Sequence, residues 1–234
     1  MVIEVASGAI AAAAGILAYG VRAPRSSLVT RSIWRGAPGR NSIALTFDDG
    51  PSEATPRVLE ILRQYRVKAT FFECGTNIRR LTEVAREVNA EGHEIGNHTD
   101  THPFLHLRGE DFIRTEILAA QFAIEQAAGV RPTLFRAPYG VRWFGLAGVQ
   151  KELGLTGVTW SVLGLDWKQT PGQVAARLLK LSGPGSIVCL HDGRELRPNP
   201  DISVTLEALR LILPQWLERG VQFETVSQIL CPTN

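Results

Sequence analysis

Short β-rich apolar runs recur along this chain, and most of them break off into polar, chemistry-bearing residues. "SIALTF" runs into "DDGP" (42–51), "HEIGNH" into "TDTHP" (93–103), and "GSIVCL" into "HDG" (185–193). "TLFRAPYG" (133–140) and "GVTWSVLGLDW" (157–167) follow the same plan. "VKATFFEC" (67–74) and "VQFETV" (221–226) read as further strands. Between the runs, apolar residues take helical spacing. Val58, Leu59, Ile61, Leu62 and Tyr65 follow Pro56, which the first turn of a helix tolerates. "LTEVAREVNAEG" (81–92) is a helix closed by Gly92, and Phe112, Ile113, Ile117, Ala120 and Ile124 form one ended by Gly129. Leu206, Leu209, Leu213 and Trp216 mark a last helix, bent or restarted at Pro214. Strand–helix repetition of this kind predicts an α/β fold with a mainly parallel sheet, either a barrel or a doubly wound sheet. With 234 residues the chain is short for a full eight-fold barrel of about 250, so a distorted, reduced (β/α) barrel with outer helices is expected. Loops at the carboxyl ends of parallel strands gather on one face, so the polar motifs are predicted to converge.

Composition narrows the partners. An apolar content of 44% suits one globular domain, and a net charge of +2 without a basic stripe argues against nucleic acid. Three cysteines with no CxxC spacing form neither a disulfide framework nor a thiolate zinc knuckle; Cys74 and Cys189 lie in apolar runs and are expected to be buried. Residues 5–21, "VASGAIAAAAGILAYGV", are uncharged and apolar, at the lower edge of the ~20 residues a membrane-spanning helix needs. They are read as a membrane anchor or a docked helix, which leaves cellular location open. No basic residue precedes them, as a secretory leader would require. Residues 1–41 are accordingly taken as this segment plus a linker, and 42–234 as the α/β domain.

His98 and His102 stand four apart, a spacing that brings two side chains to one side of a turn. With one carboxylate from the Asp48–Asp49 pair they make a two-imidazole, one-carboxylate set with room for water, the pattern of catalytic zinc sites. Zinc suits these ligands best, while iron, cobalt and nickel accept the same set. The other aspartate is free to act as general base, Arg136 is a candidate counter-charge, and His191 a candidate general acid. Each piece alone has a plainer reading: "DDGP" is an ordinary turn, Arg136 a surface ion pair, His191 a satisfied buried histidine, and Trp167 or Tyr139 core or rim. Their joint placement at strand ends favours a hydrolase.

"TFDDGP", "HTDTHP", "RAPYG", "DW" and "LHDG", in this order over residues 42–230, resemble the five motifs of NodB-like polysaccharide deacetylases, carbohydrate esterase family 4. The resemblance implies a distorted (β/α) barrel, a divalent metal, and hydrolysis of N-acetyl, sometimes O-acetyl, groups on an acetylated glycan. It implies Asp48 as general base and Asp49, His98 and His102 as metal ligands, with Thr99 steadying the loop. Arg136 matches the arginine that pairs with the base, Tyr139 the residue whose backbone N–H binds the oxyanion, and His191 the acid. Trp167 and Leu190 match the apolar walls of the acetyl pocket. The fourth motif departs from Asp-x-x-Asp-Trp, because Leu163 stands in the first aspartate's place; Asp166 is expected to orient His191 instead. The departure keeps a second reading open, a carbohydrate-binding homologue without catalysis, and a third is a metal-dependent amidohydrolase acting on a small non-sugar amide. Oligomeric state is not readable from the sequence.

Overall fold

The computed structural model describes residues 2–231, with side chains from Ala12 onward. Helix α1 (Val2–Arg22) leads into an extended segment, and strand β1 (Ser42–Gly50) begins the α/β body. Then follow α2 (Thr55–Tyr65), β2 (Thr70–Glu73), α3 (Gly75–Arg80), α4 (Thr82–Ala90), β3 (Glu94–Asn97) and α5 (Glu110–Ala128). β4 (Leu134–Phe135), a 3-10 turn at Pro138–Gly140, α6 (Leu146–Glu152), β5 (Thr156–Gly157) and β6 (Val162–Leu163) form the next stretch. α7 (Pro171–Leu181), β7 (Ile187–His191), α8 (Ser203–Glu218), β8 (Gln222–Phe223) and α9 (Val226–Leu230) complete the chain.

All strand pairings are parallel, in the order β5-β4-β3-β2-β1-β7-β6, with β8 beside the start of β1. Among the described residues no ladder joins β5 to β6, so the expected barrel is an open one. Its central strand is buried along its whole length. Phe47 and Phe71 stack at 5.0 Å on the core side and meet the apolar stripes of α2, α7 and α8, among them Leu59, Leu62, Leu178, Leu206, Leu209 and Trp216. Each such side chain, fully removed from water, stabilises the fold by roughly 1.5–3 kcal/mol.

Several sequence expectations shift in detail. α8 runs unbroken through Pro214. The proline deprives the carbonyl of Arg210 of a partner, but Arg210 lies on the exposed face, where solvent can take that bond. The run at 157–165 divides into β5 and β6 around Trp160, and α3 and α9 were not foreseen. The expected closing strand is only two residues long, and Thr225 then caps α9 through a reciprocal pair of bonds with Gln228.

The presumed linker at 22–41 belongs to the folded unit. Ile33 bridges Val158, Arg35 bridges Ser186, and Thr30 Oγ1 donates to Gln150 at 2.9 Å. Arg142, fully buried, donates from Nη1 to the Ser26 carbonyl at 2.6 Å and from Nη2 to the carbonyls of Gly20 and Ala23. A cation is thereby set on the carboxyl end of α1, where the helix dipole favours it. Part of the 5–21 stretch lies outside the residues whose side chains are described; among the described residues no helix is long and apolar enough to cross a membrane.

Candidate active site

The carboxyl ends of β1, β3, β4 and β7 face a cavity of about 620 Å³. In a regular strand Asp48 and Asp49 would point to opposite faces. Here the β1–β2 register slips between Asp48 and Gly50, and Asp49 takes a left-handed conformation (φ 74°). A bulge of this kind re-aims a side chain, and both carboxylates line the same cavity. Thr99 (φ 70°), His102 (φ 54°) and Tyr139 (φ 57°) are left-handed too. Such residues cost about 1–2 kcal/mol each, and strain of this kind gathers at functional sites.

Asp49 Oδ1 lies 3.0 Å from His102 Nε2 and 3.5 Å from His98 Nε2, all three residues being buried. His98 Nδ1 is 2.8 Å from the Arg136 carbonyl, which can only accept. In the neutral imidazole the proton therefore sits on Nδ1, and the lone pair of Nε2 faces the carboxylate. Two acceptors that close repel each other unless a cation stands between them. The donor set thus fits a divalent metal by its own chemistry, and the bond to the Arg136 carbonyl is the outer support such ligands usually have. Burial opposes ionisation of Asp49, but the neighbouring His102 and His98 and the charge of His191 outweigh it and hold the carboxyl well below its ordinary value.

The histidine loop is clamped from beneath. Thr99 N donates to Asn97 Oδ1 at 2.9 Å and His102 N to Thr99 Oγ1 at 3.1 Å. Glu116, on α5, accepts from Asp100 N (3.1 Å), Thr101 N (2.8 Å) and Thr101 Oγ1 (2.7 Å). Nothing in the sequence pattern singles out Glu116, which sits on a helix far from any motif.

A carboxylate pair flanks the cluster on each side. Asp48 Oδ1 accepts from Arg136 Nη1 at 2.5 Å, and its Oδ2 faces the Cys189 thiol at 3.4 Å. Arg136 has no exposed surface; it also donates to Thr46 Oγ1 and the Thr159 carbonyl, and packs 4.0 Å over Phe72. On the other side His191 Nδ1 meets Asp166 Oδ1 at 2.9 Å, while Asp166 Oδ2 accepts from the His191 backbone N (3.0 Å) and Thr205 Oγ1 (2.6 Å). Burial alone would push His191 down, but the charge and hydrogen bond of Asp166, with Asp49 and Asp48 beyond it, raise it to about 9. Asp48, Cys189 and His191 also lie close enough to share an ion, but Arg136 and Asp166 already engage the aspartate and the histidine.

Behind the cavity the end of β1 meshes with the turn after β7. A Cβ on Gly50 would sit 2.4 Å from the Asp192 carboxylate, and one on Gly193 would sit 2.3 Å from the Asp49 carbonyl oxygen. Asp192 N donates to the Asp48 carbonyl, Asn77 Nδ2 to that of Asp49, and Glu195 N to Asp49 Oδ2. Burial raises Asp192 to about 7 against the opposing bond from Thr55, and raises Glu73, which has no exposed surface, well above the usual carboxylate range.

Of the residues singled out in the sequence, Asp48, Asp49, His98, His102, Tyr139, Trp167 and His191 line the cavity, with Arg136 and Asp166 directly behind. Trp167 stands edge-on to His191 at 5.0 Å. Leu190 does not line the cavity. Cys189 and His191 face the site, so strand alternation turns Leu190 into the core. The aliphatic wall is Leu163, the very departure in the fourth motif. In the 3-10 turn the backbone bonds begin at Gly140 N and Val141 N, leaving the Tyr139 N–H outside them.

An open parallel (β/α) barrel carrying an Asp–His–His cluster between a buried base candidate and an oriented imidazole is the architecture of a metal-dependent hydrolase. Residues 35–158 match the polysaccharide deacetylase family model. A chitooligosaccharide deacetylase of Bradyrhizobium sp. (strain ANU 289) is 38% identical over 201 residues, covering 82% of this chain and 91% of its own. A solved peptidoglycan N-acetylglucosamine deacetylase superposes with a TM-score of 0.80 at 34% identity, over 85% of this chain and 92% of that one. A carbohydrate esterase family 4 pseudoenzyme from Bacillus anthracis superposes at 0.78 with 28% identity, over 86% and 69%. The chain belongs to the polysaccharide deacetylase family.

Proposed function

We propose that this protein hydrolyses acetyl groups, foremost N-acetyl, from sugar units of a glycan, with Zn2+ held by Asp49, His98 and His102. The observation that carries this reading is the single cavity in which that cluster lies between the Asp48–Arg136 and His191–Asp166 pairs. Two imidazoles and one carboxylate favour zinc. When bound, the cation supplies Lewis acidity that acidifies water and polarises a carbonyl.

Asp48 takes one proton from the attacking water as its oxygen bonds to the acetamide carbon. Arg136 occupies Asp48 Oδ1, so Oδ2, which has only the weak Cys189 thiol beside it, is the atom that receives the proton. The Tyr139 N–H, unused by its turn, donates to the developing oxyanion, a contribution often worth ~3 kcal/mol per donor. As the C–N bond breaks, His191 protonates the departing nitrogen from Nε2, its Nδ1 being held by Asp166. Acetate and an amino sugar result. Leu163 and Trp167 form apolar walls suited to the acetyl methyl. The non-catalytic reading leaned on Leu163, but Asp166 already orients His191, so that departure does not argue against turnover.

The test is acetate release from N-acetylated chito-oligosaccharides by Zn2+-loaded protein, repeated after chelation and after Zn2+ is restored. Release that disappears and returns supports the reading; no release from any acetylated glycan, or release indifferent to chelation, overturns it.

A further inference from the structure

Five aromatic rings run outward from the cavity in contact order. Tyr139 lies edge-on to His102 at 4.7 Å and stacks on Phe104 at 3.8 Å, with the planes 11° apart. Phe104 meets His106 edge-on at 5.4 Å, His106 faces Trp143 at 6.5 Å, and Trp143 meets Phe144 at 5.2 Å. The rings come from two loops, 102–107 and 139–144, well separated in sequence. Packing does not account for the row. Phe104, Trp143 and Phe144 belong to none of the core clusters, and Phe104 (41%) and Phe144 (56%) are heavily exposed.

An apolar surface that continues a binding cavity marks a place for ligand. Its surroundings narrow the ligand class. The cavity's rim also carries Arg194, Glu195, Arg197 and Asp201, an even balance of charge that presents donors and acceptors. A site with aromatic faces along one approach and mixed polar groups at its rim complements a pyranose, whose ring faces present C–H bonds and whose edge presents hydroxyls. A lipid would leave the charged groups unpartnered, and an extended peptide would pair its backbone with a strand edge rather than lie across a row of rings.

We infer that Phe104, His106, Trp143 and Phe144 form an aromatic platform that binds the sugar units adjoining the one held in the cavity. The inference rests on the deacetylase reading for the identity of its ligand. It makes the protein a reader of chain length: a short oligosaccharide reaches only the cavity, whereas a longer one also lies across the rings.

The experiment separates binding from turnover. Penta-N-acetylchitopentaose and di-N-acetylchitobiose are titrated by calorimetry against the full chain and a Trp143→Ala/Phe144→Ala double variant. Phe144→Ala alone, at an exposed position, guards against misfolding of the double variant. The wild type is expected to bind the pentamer at least tenfold more tightly than the dimer. The double variant loses most of that advantage, the Phe144 variant loses part of it, and affinity for the dimer stays within about twofold. In rate measurements the loss falls on KM for the pentamer, with kcat unchanged. Equal pentamer affinity in all three proteins, or no pentamer binding by any, overturns the platform. Normal length-dependent binding without acetate release overturns the deacetylase reading while leaving the platform in place.

Discussion

The two pairs that flank the metal cluster are built in opposite senses. On the side of the proposed base a carboxylate, Asp48, is fixed by a cation with no exposed surface, Arg136. On the side of the proposed acid an imidazole, His191, is fixed by a carboxylate that is itself held by Thr205 and by the His191 backbone. Asp166 keeps His191 protonated at neutral pH, while Arg136 gives Asp48 a fixed partner. A guanidinium remains charged under all ordinary conditions, whereas the Asp166–His191 pair has its own titration. The base side should therefore fail through loss of structure or of the carboxylate, and the acid side through pH.

The largest effect is expected from Asp48→Asn. It retains shape and metal but removes the proton acceptor, so kcat should fall about 10³-fold with unchanged zinc content by elemental analysis. Near-normal acetate release would take Asp48 out of the base role. Arg136→Ala leaves a buried carboxylate without its cation and should cost about 3–5 kcal/mol of stability, read from denaturant melts. Arg136→Lys should not restore it, because one ammonium cannot reach Asp48, Thr46 and the Thr159 carbonyl together.

Asp166→Asn tests the acid side. His191 must be protonated to act, so activity is present below its pKa and lost as pH rises through it. In the native protein that loss is expected near pH 9. Without the Asp166 charge the limb should move toward the ordinary value near 6.5, a loss of about 30-fold at pH 8 from protonation alone. An unmoved alkaline limb in the pH–rate profile would dissociate His191 from the acid step. Glu116→Gln should weaken zinc binding about tenfold by loosening the histidine loop, measured by chelator competition. Smallest is Cys189→Ala, which removes one weak donor to Asp48 Oδ2 and should lower kcat by no more than about threefold. Cys189→Ser should retain the native rate.

Much of this arrangement is legible without coordinates, because Asp48, Asp49, His98, His102 and His191 lie in short motifs at strand ends, where parallel topology brings them into one cavity. What escaped has a physical reason in each case. The bulge at Asp49 depends on pairing with β2, which a single strand cannot declare. Leu190 fits the motif by position, but counting back by twos from His191 puts Cys189, not Leu190, on the side of the site. Glu116 and Thr205 act from helices on which nothing but tertiary packing marks them. The division of 157–165 into two short strands reflects the open seam of the barrel, and the docking of residues 22–41 depends on Arg142, a buried cation whose partners are carbonyls more than a hundred residues away.

The glycines at 50 and 193 carry a mechanical consequence. Each gives up the volume that the other segment's aspartate occupies, so the end of β1 and the turn after β7 interlock like gear teeth, with no slack for either to swing alone. Asp48 and His191, the proposed base and acid, are direct partners across these two strands and must travel as one rigid piece. Entry of a bulky polymer therefore has to be accommodated elsewhere around the mouth, and even a methyl group at either tooth would throw the pair out of mesh.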